Sequence, residues 1–162
     1  MPEQLMTLDR DAVKVLLHHR EPYLMVDRVD ALSPESVTGV KVPRGDEAYL
    51  QGHFPGAPIV PGAMLQELCT QSAGLLITKH HAPVDDYDSE TTKGHALGVL
   101  SKVEFAKYLG IVKTDRDVVA KVHLAERLGP LFKFNAKVYQ DGELKAKLCF
   151  QLANIGDGHL TQ

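Results

Sequence analysis

Two ionisable side chains stand in surroundings that suit proton transfer. His53 sits in the run Gln51-Gly52-His53-Phe54-Pro55-Gly56. The glycines let the backbone come close to a bound molecule, and the Phe and Pro exclude water. An imidazole with an ordinary pKa of about 6.5 can take a proton near pH 7. Glu67 lies fourteen residues further on, in a segment that is otherwise mainly apolar or small. A carboxyl group delivers a proton at neutral pH only where an apolar surrounding favours its protonated form. Gln71 follows one helical turn later and can orient Glu67. Each residue also has a plainer reading. A lone loop histidine is more often a surface residue, and Glu67 can sit at a helix edge reaching water or a lysine, because unpaired carboxylates are almost never fully buried. From residue types alone both readings stand.

The other reactive residues offer less. His18-His19 and His80-His81 are adjacent pairs. Neighbours on a helix or strand point in different directions, so such pairs chelate metals poorly. His159 falls in a tail expected to lack fixed structure. Cys69 and Cys149 have no CxxC or Cys/His partner spacing, which argues against a zinc site or a disulfide framework. HExxH, GxSxG, the phosphate-binding Walker loop and GxGxxG do not occur, so no metal site, serine nucleophile or nucleotide loop is expected.

The elements that must position His53 and Glu67 follow from pattern. Pro61 to Lys79 reads as a helix, with Pro61 in its first turn. Met64, Leu65, Leu68, Cys69, Leu75 and Leu76 cover most of its circumference, so it is expected to be central and largely buried. Ala63, Glu67, Gln71, Gly74 and Thr78 fall within about 40° of one small or polar line. Cys69 points away from that line, as a packing residue. Residues 43 to 61 carry Pro43, Pro55, Pro58 and Pro61 and the glycines 45, 52 and 56, so this apolar loop is held in specific shapes. Upstream, Thr7 to Leu17 reads as a short amphipathic helix capped by Thr7, and 24–32 and 36–42 as strands. Residues 81–94, with Asp85, Asp86, Asp88 and Glu90, read as an exposed loop. Four strand-like segments follow, near 95–105, 117–127, 131–140 and 143–153. Asp141-Gly142 marks a tight hairpin between the last two. Two strands, a buried helix and four strands predict an α+β fold, an antiparallel sheet wrapped around one helix.

Length and composition agree with this. The chain has 162 residues, which favours one domain, 1–162. It is 44% hydrophobic and 24% charged, near the average for globular proteins, which excludes disordered and fibrous classes. The net charge of −3 gives no electrostatic support to a nucleic-acid partner. The first residues lack a basic region followed by an apolar run, and no stretch nears the ~18 apolar residues of a membrane helix. A soluble, cytoplasmic protein with no membrane span is expected.

The run Gly52-His53-Phe54-Pro55-Gly56, then Pro58, then Pro61-Gly62-Ala63-Met64-Leu65-Gln66-Glu67, then Gln71, resembles the 3-hydroxyacyl-acyl-carrier-protein dehydratase (FabZ) family. His19-Arg20-Glu21-Pro22-Tyr23-Leu24-Met25-Val26-Asp27-Arg28-Val29 resembles that family's opening motif, and 132–150 its closing hairpin. The likeness covers most of residues 15 to 155. It implies a hot-dog fold and the dehydration of 3-hydroxyacyl thioesters to trans-2-enoyl thioesters, in fatty-acid or related lipid or polyketide synthesis. His53 would take the C2 proton and Glu67 would protonate the departing hydroxyl. The N–H of Gly62 would stabilise the charged thioester oxygen, and the carbonyl of Ile59 would orient His53. Gln71 would support Glu67, and Phe54, Pro55, Val60 and Met64 would line the acyl tunnel. No cofactor is implied. The implied partners are acyl carrier protein and a second copy of the chain. Each site would take His53 from one subunit and Glu67 from the other, and the family often assembles further, into a trimer of dimers.

Three departures bear on specificity: His18 where a proline is usual, the long acidic 81–94 loop, and Ile111-Val112-Lys113-Thr114-Asp115-Arg116 in place of a Pro/Gly turn. Lys102, Lys107 and Lys113 are candidates for contact with an acidic carrier, or else solvated charge. The competing readings are an acyl thioesterase of the same fold and a non-catalytic acyl-chain-binding partner of a synthase. An isomerising relative would carry Asp at position 67.

Overall fold

A computed structural model describes residues 5–82, 85–91 and 97–156. The elements are β1 (Met6–Leu8), α1 (Arg10–Leu16), β2 (Arg28–Leu32), β3 (Ser36–Lys41), a single 3-10 turn (Ala48–Leu50), α2 (Gly62–His80), β4 (Leu97–Tyr108), β5 (Val118–Leu128), β6 (Leu131–Gln140) and β7 (Glu143–Ile155). All strand pairs are antiparallel, in one seven-stranded sheet of order β1-β2-β3-β5-β6-β7-β4. The long helix α2 packs on its inner face. This is the hot-dog arrangement that the family resemblance implies.

Alternation decides the inner face. Phe132, Phe134, Ala136 and Val138 of β6 are buried, as are Ala146, Leu148, Phe150 and Leu152 of β7. Burying the large side chains among these contributes roughly 1.5–3 kcal/mol apiece. Asp141 and Gly142 both have positive φ (53° and 75°), the geometry of the two-residue turn expected between β6 and β7. Helix α2 is buried almost all round, through Leu65, Leu68, Cys69, Ala73, Leu75, Leu76 and Ile77. At Gly39 of β3 the helix comes so close that an added Cβ would lie 2.1 Å from Ser72 Oγ.

Four local expectations need correction. Thr7 is not a helix cap. It lies in β1, and Asp9 caps α1 by accepting a hydrogen bond from the Ala12 N–H at 2.9 Å. Leu8, whose periodicity suggested the helix, is instead paired with Val29 across the sheet. Residues 24–27 are not strand, although Leu24, Met25 and Val26 are buried, so burial alone produced the apolar run. Pro61 is the N-cap of α2, one position before its first turn. The 81–94 segment is not simply an exposed loop. Tyr87 and Ser89 are buried, the Ser89 N–H donates to the Val15 carbonyl at 2.7 Å, and Ser89 Oγ donates to the Lys14 carbonyl. His159 and part of 81–94 lie outside the described residues. Among the described residues no helix is long and apolar enough to cross a membrane.

Candidate active site

The loop between β3 and α2 presents His53, and the first half of α2 presents Glu67. The loop is pinned by backbone hydrogen bonds: His53 N–H to the Leu50 carbonyl (3.1 Å), Ile59 N–H to the His53 carbonyl (3.3 Å) and Val60 N–H to the Val112 carbonyl (2.9 Å). The His53–Phe54 peptide is cis, and Gly56 has φ of +82°. His53 Nδ1 lies 3.2 Å from the Ile59 carbonyl. A carbonyl only accepts, so Nδ1 carries the hydrogen, and in the neutral ring Nε2 then keeps its lone pair. That is the tautomer of a general base. The Phe54 ring tilts over His53 at 4.5 Å between centroids.

Glu67 is half-buried on α2. Its Oε1 accepts from Gln71 Nε2 at 2.9 Å. Gln71 is itself buried, donates also to the Tyr23 carbonyl (2.9 Å), and accepts from the Met25 N–H through Oε1 (2.7 Å). It therefore ties the carboxylate to the irregular 23–25 segment. Gly62 opens α2, so its N–H has no partner within the helix and sits at the positive end of the helix dipole. A Cβ at this glycine would come within 3.1 Å of the Tyr108 ring.

Two residues near Glu67 escaped the sequence reading. His19 Nε2 lies 3.8 Å from Glu67 Oε1. Burial lowers the His19 pKa, against the opposing pull of Glu67. Tyr23 stacks on His19, with centroids 6.1 Å apart, and its pKa is raised by burial and then by Glu67. Judging His18-His19 only as a metal chelator hid this. The position of His19 inside the family-like opening motif was the signal available.

No hydrogen bond or ion pair joins His53 to Glu67 within one chain, among the described residues. Of the residues expected to line a tunnel, Val60 is buried and Met64 half-buried, whereas Phe54 is 56% exposed and Pro55 exposed. Lys102 lies 4.0 Å from Glu104, Lys107 is near the end of β4, and Lys113 is in the loop that follows. Among the described residues no group of three or more His, Cys, Asp or Glu is arranged to hold a metal ion.

Residues 17–149 match the family model of the FabA-like domain. The chain belongs to the FabA-like family. Within it, the chain is 34% identical over 148 residues to the 3-hydroxyacyl-[acyl-carrier-protein] dehydratase FabZ of Syntrophobacter fumaroxidans, covering 90% of this chain and 94% of the relative. Its fold matches the dehydratase heterocomplex ApeI:P from Xenorhabdus doucetiae, with a TM-score of 0.73 at 16% identity, covering 91% and 93% of the two chains. It also matches a hypothetical thioesterase with coenzyme A from Streptococcus pneumoniae, with a TM-score of 0.55 at 17% identity, covering 79% and 84%. At such identities these two structures speak for the fold alone. The FabA-like chain is thus a dehydratase-family protein, a hydro-lyase by its relatives.

Proposed function

We propose that the protein removes water from 3-hydroxyacyl thioesters carried on acyl carrier protein, giving trans-2-enoyl thioesters in fatty-acid or a related lipid or polyketide synthesis in the cytoplasm. The observation that carries this is the fixed setting of the acid–base pair. His53 has its Nδ1 at the Ile59 carbonyl, and Glu67 is held by Gln71, in a chain of the dehydratase family.

His53 Nε2 takes the C2 proton. Negative charge moves onto the thioester oxygen, where the Gly62 N–H and the end of the α2 dipole stabilise it. Glu67 gives its proton to the C3 hydroxyl as the C–O bond breaks, and water leaves. Proton transfer by such groups accounts for ~10²–10⁴-fold each in rate. No step calls for a redox group.

The active unit is a homodimer, with His53 of one subunit opposite Glu67 of the other. Two features support this. Within one chain no hydrogen bond or ion pair joins the two among the described residues, and β4 ends the sheet as a twelve-residue edge. That edge exposes Val99, Leu100, Val103, Phe105 and Tyr108, between 38% and 46% each. A long apolar edge strand invites pairing with another chain. A partner there would also cover Phe54 and Pro55 and close the acyl tunnel with Val60 and Met64. Assembly into a trimer of dimers is the further expectation.

The test is a panel of 3-hydroxyacyl and trans-2-enoyl thioesters of several lengths, on carrier protein and on coenzyme A. Loss or gain of enoyl absorbance supports dehydration. Release of free thiol instead would establish a thioesterase, and no change with any substrate a binding protein.

A further inference from the structure

The outer face of the sheet carries a line of positive charge. Lys107 of β4 is the register partner of Lys147 of β7, Lys147 of Lys137 in β6, and Lys137 of Lys121 in β5. Register partners point to the same side of a sheet, so four lysines stand in one row across four adjacent strands. Their inward neighbours Val122, Ala136, Ala146 and Leu148 are buried, which turns the lysines outward. All four are exposed. The side chains of Lys107, Lys137 and Lys147 make no hydrogen bond or ion pair among the described residues, and Lys121 lies over the Tyr139 ring at 5.4 Å. Like charges directly opposite one another destabilise a sheet. In a chain of net charge −3, this concentration of unneutralised cations is a cost that an anionic partner removes.

The form of the row points to the kind of partner. Strands lie about 4.8 Å apart, so three steps span roughly 14 Å. One turn of an α-helix rises 5.4 Å. A helix laid across the strands therefore brings one side chain per turn over one lysine. The row is only one residue wide. On one side Phe105, Cys149, Asn135 and His123 are in register, and on the other stands Tyr139. A groove of about 600 Å³ runs along it, lined by Lys121, Lys137, Lys147, Phe105, His123 and Tyr139 among others. A narrow charged line with aromatic flanks suits an amphipathic acidic helix better than the broad phosphate field of a membrane or a duplex. We propose that the Lys107–Lys147–Lys137–Lys121 row docks an α-helix of a partner protein that presents acidic side chains on successive turns of one face. This surface lies on the side of the sheet opposite α2, and it does not depend on the dehydratase reading.

Two labelled alanine-rich helical peptides of identical composition test it on the full chain by fluorescence anisotropy. One carries four Glu on successive turns of one face, and the other has the same four spread around the helix. The striped peptide is expected to bind at least tenfold more tightly. The charge-reversed Lys137→Glu/Lys147→Glu protein is expected to abolish that preference, with an unchanged circular-dichroism melt. If that variant fails to fold, Lys137→Gln/Lys147→Gln replaces it and is expected to reduce the preference at least threefold. Equal binding of the two peptides would overturn the proposal. So would a preference that survives the substitutions, or tighter binding of phosphatidylserine vesicles or of a short DNA duplex than of the striped peptide.

Discussion

Gln71 explains why a glutamate can stand on a helix as buried as α2. Its three hydrogen bonds, to Glu67 Oε1, the Tyr23 carbonyl and the Met25 N–H, all lie between 2.7 and 2.9 Å. They anchor Glu67 and satisfy two backbone groups of a segment that has no strand partner. Gln71→Ala leaves both groups unpaired, so a loss of about 2–4 kcal/mol in stability is expected, read by urea denaturation. The same variant is expected to lower kcat beyond what its unfolded fraction explains, because Glu67 loses its tether. His53→Ala and Glu67→Gln remove the proposed base and acid themselves. Each is expected to lower kcat by ~10²–10⁴ on a 3-hydroxyacyl thioester while the thermal melt stays in place. Full activity in either would remove that residue from the mechanism.

At the scale of elements, the helix is fixed by close approaches rather than by its own amphipathicity. Gly39 of β3 meets Ser72 of α2 where no side chain fits. Gly39→Ala forces the two apart and is expected to cost on the order of 1–3 kcal/mol. Adding Ser72→Gly removes the obstructing side chain, so a double-mutant cycle in denaturation is expected to show strong positive coupling. The loop that leads to His53 is tied down at Glu47, which accepts from the Arg44 and Gly45 N–H groups (2.8 and 3.0 Å) and faces the buried Lys41 at 3.3 Å. Burial pushes the Glu47 pKa up, but the backbone donors and Lys41 outweigh it and the net shift is downward. The unfolded chain therefore takes up this proton first as pH falls. The stabilisation is complete above the ordinary carboxylate range and is lost as pH falls through the lowered folded value. Glu47→Gln is expected to flatten the acid limb of stability against pH, measured by thermal melts between about pH 3 and 6.

For the whole molecule, the sheet is protected at one end and open at the other. The short β1 closes one edge, whereas β4 leaves twelve residues with an apolar surface. If that edge joins two subunits, a charge in its middle separates them. Val103→Lys is expected to shift sedimentation from dimer to monomer and to abolish dehydration, since the proposed site takes His53 and Glu67 from different subunits. A dimeric Val103→Lys protein, or a fully active monomer, would refute the shared site.

The sequence by itself determined the α+β class, the strands β5, β6 and β7 and the hairpin at Asp141-Gly142, and it singled out His53 and Glu67 as the proposed pair. These rest on local signals: alternation of period two, a turn that needs positive φ, and a motif confined to residues 52–71. Only the tertiary structure decided what depends on chain segments far apart. It assigned Leu8 to a strand because its partner, Val29, lies 21 positions away. It brought His19 and Tyr23 to Glu67 across more than 40 residues of chain. It lined up Lys107, Lys121, Lys137 and Lys147, whose spacing in sequence carries no common period, because register is set by the buried face of each strand. Hydrophobic pattern tells which side of an element faces inward; which elements then meet is decided by packing.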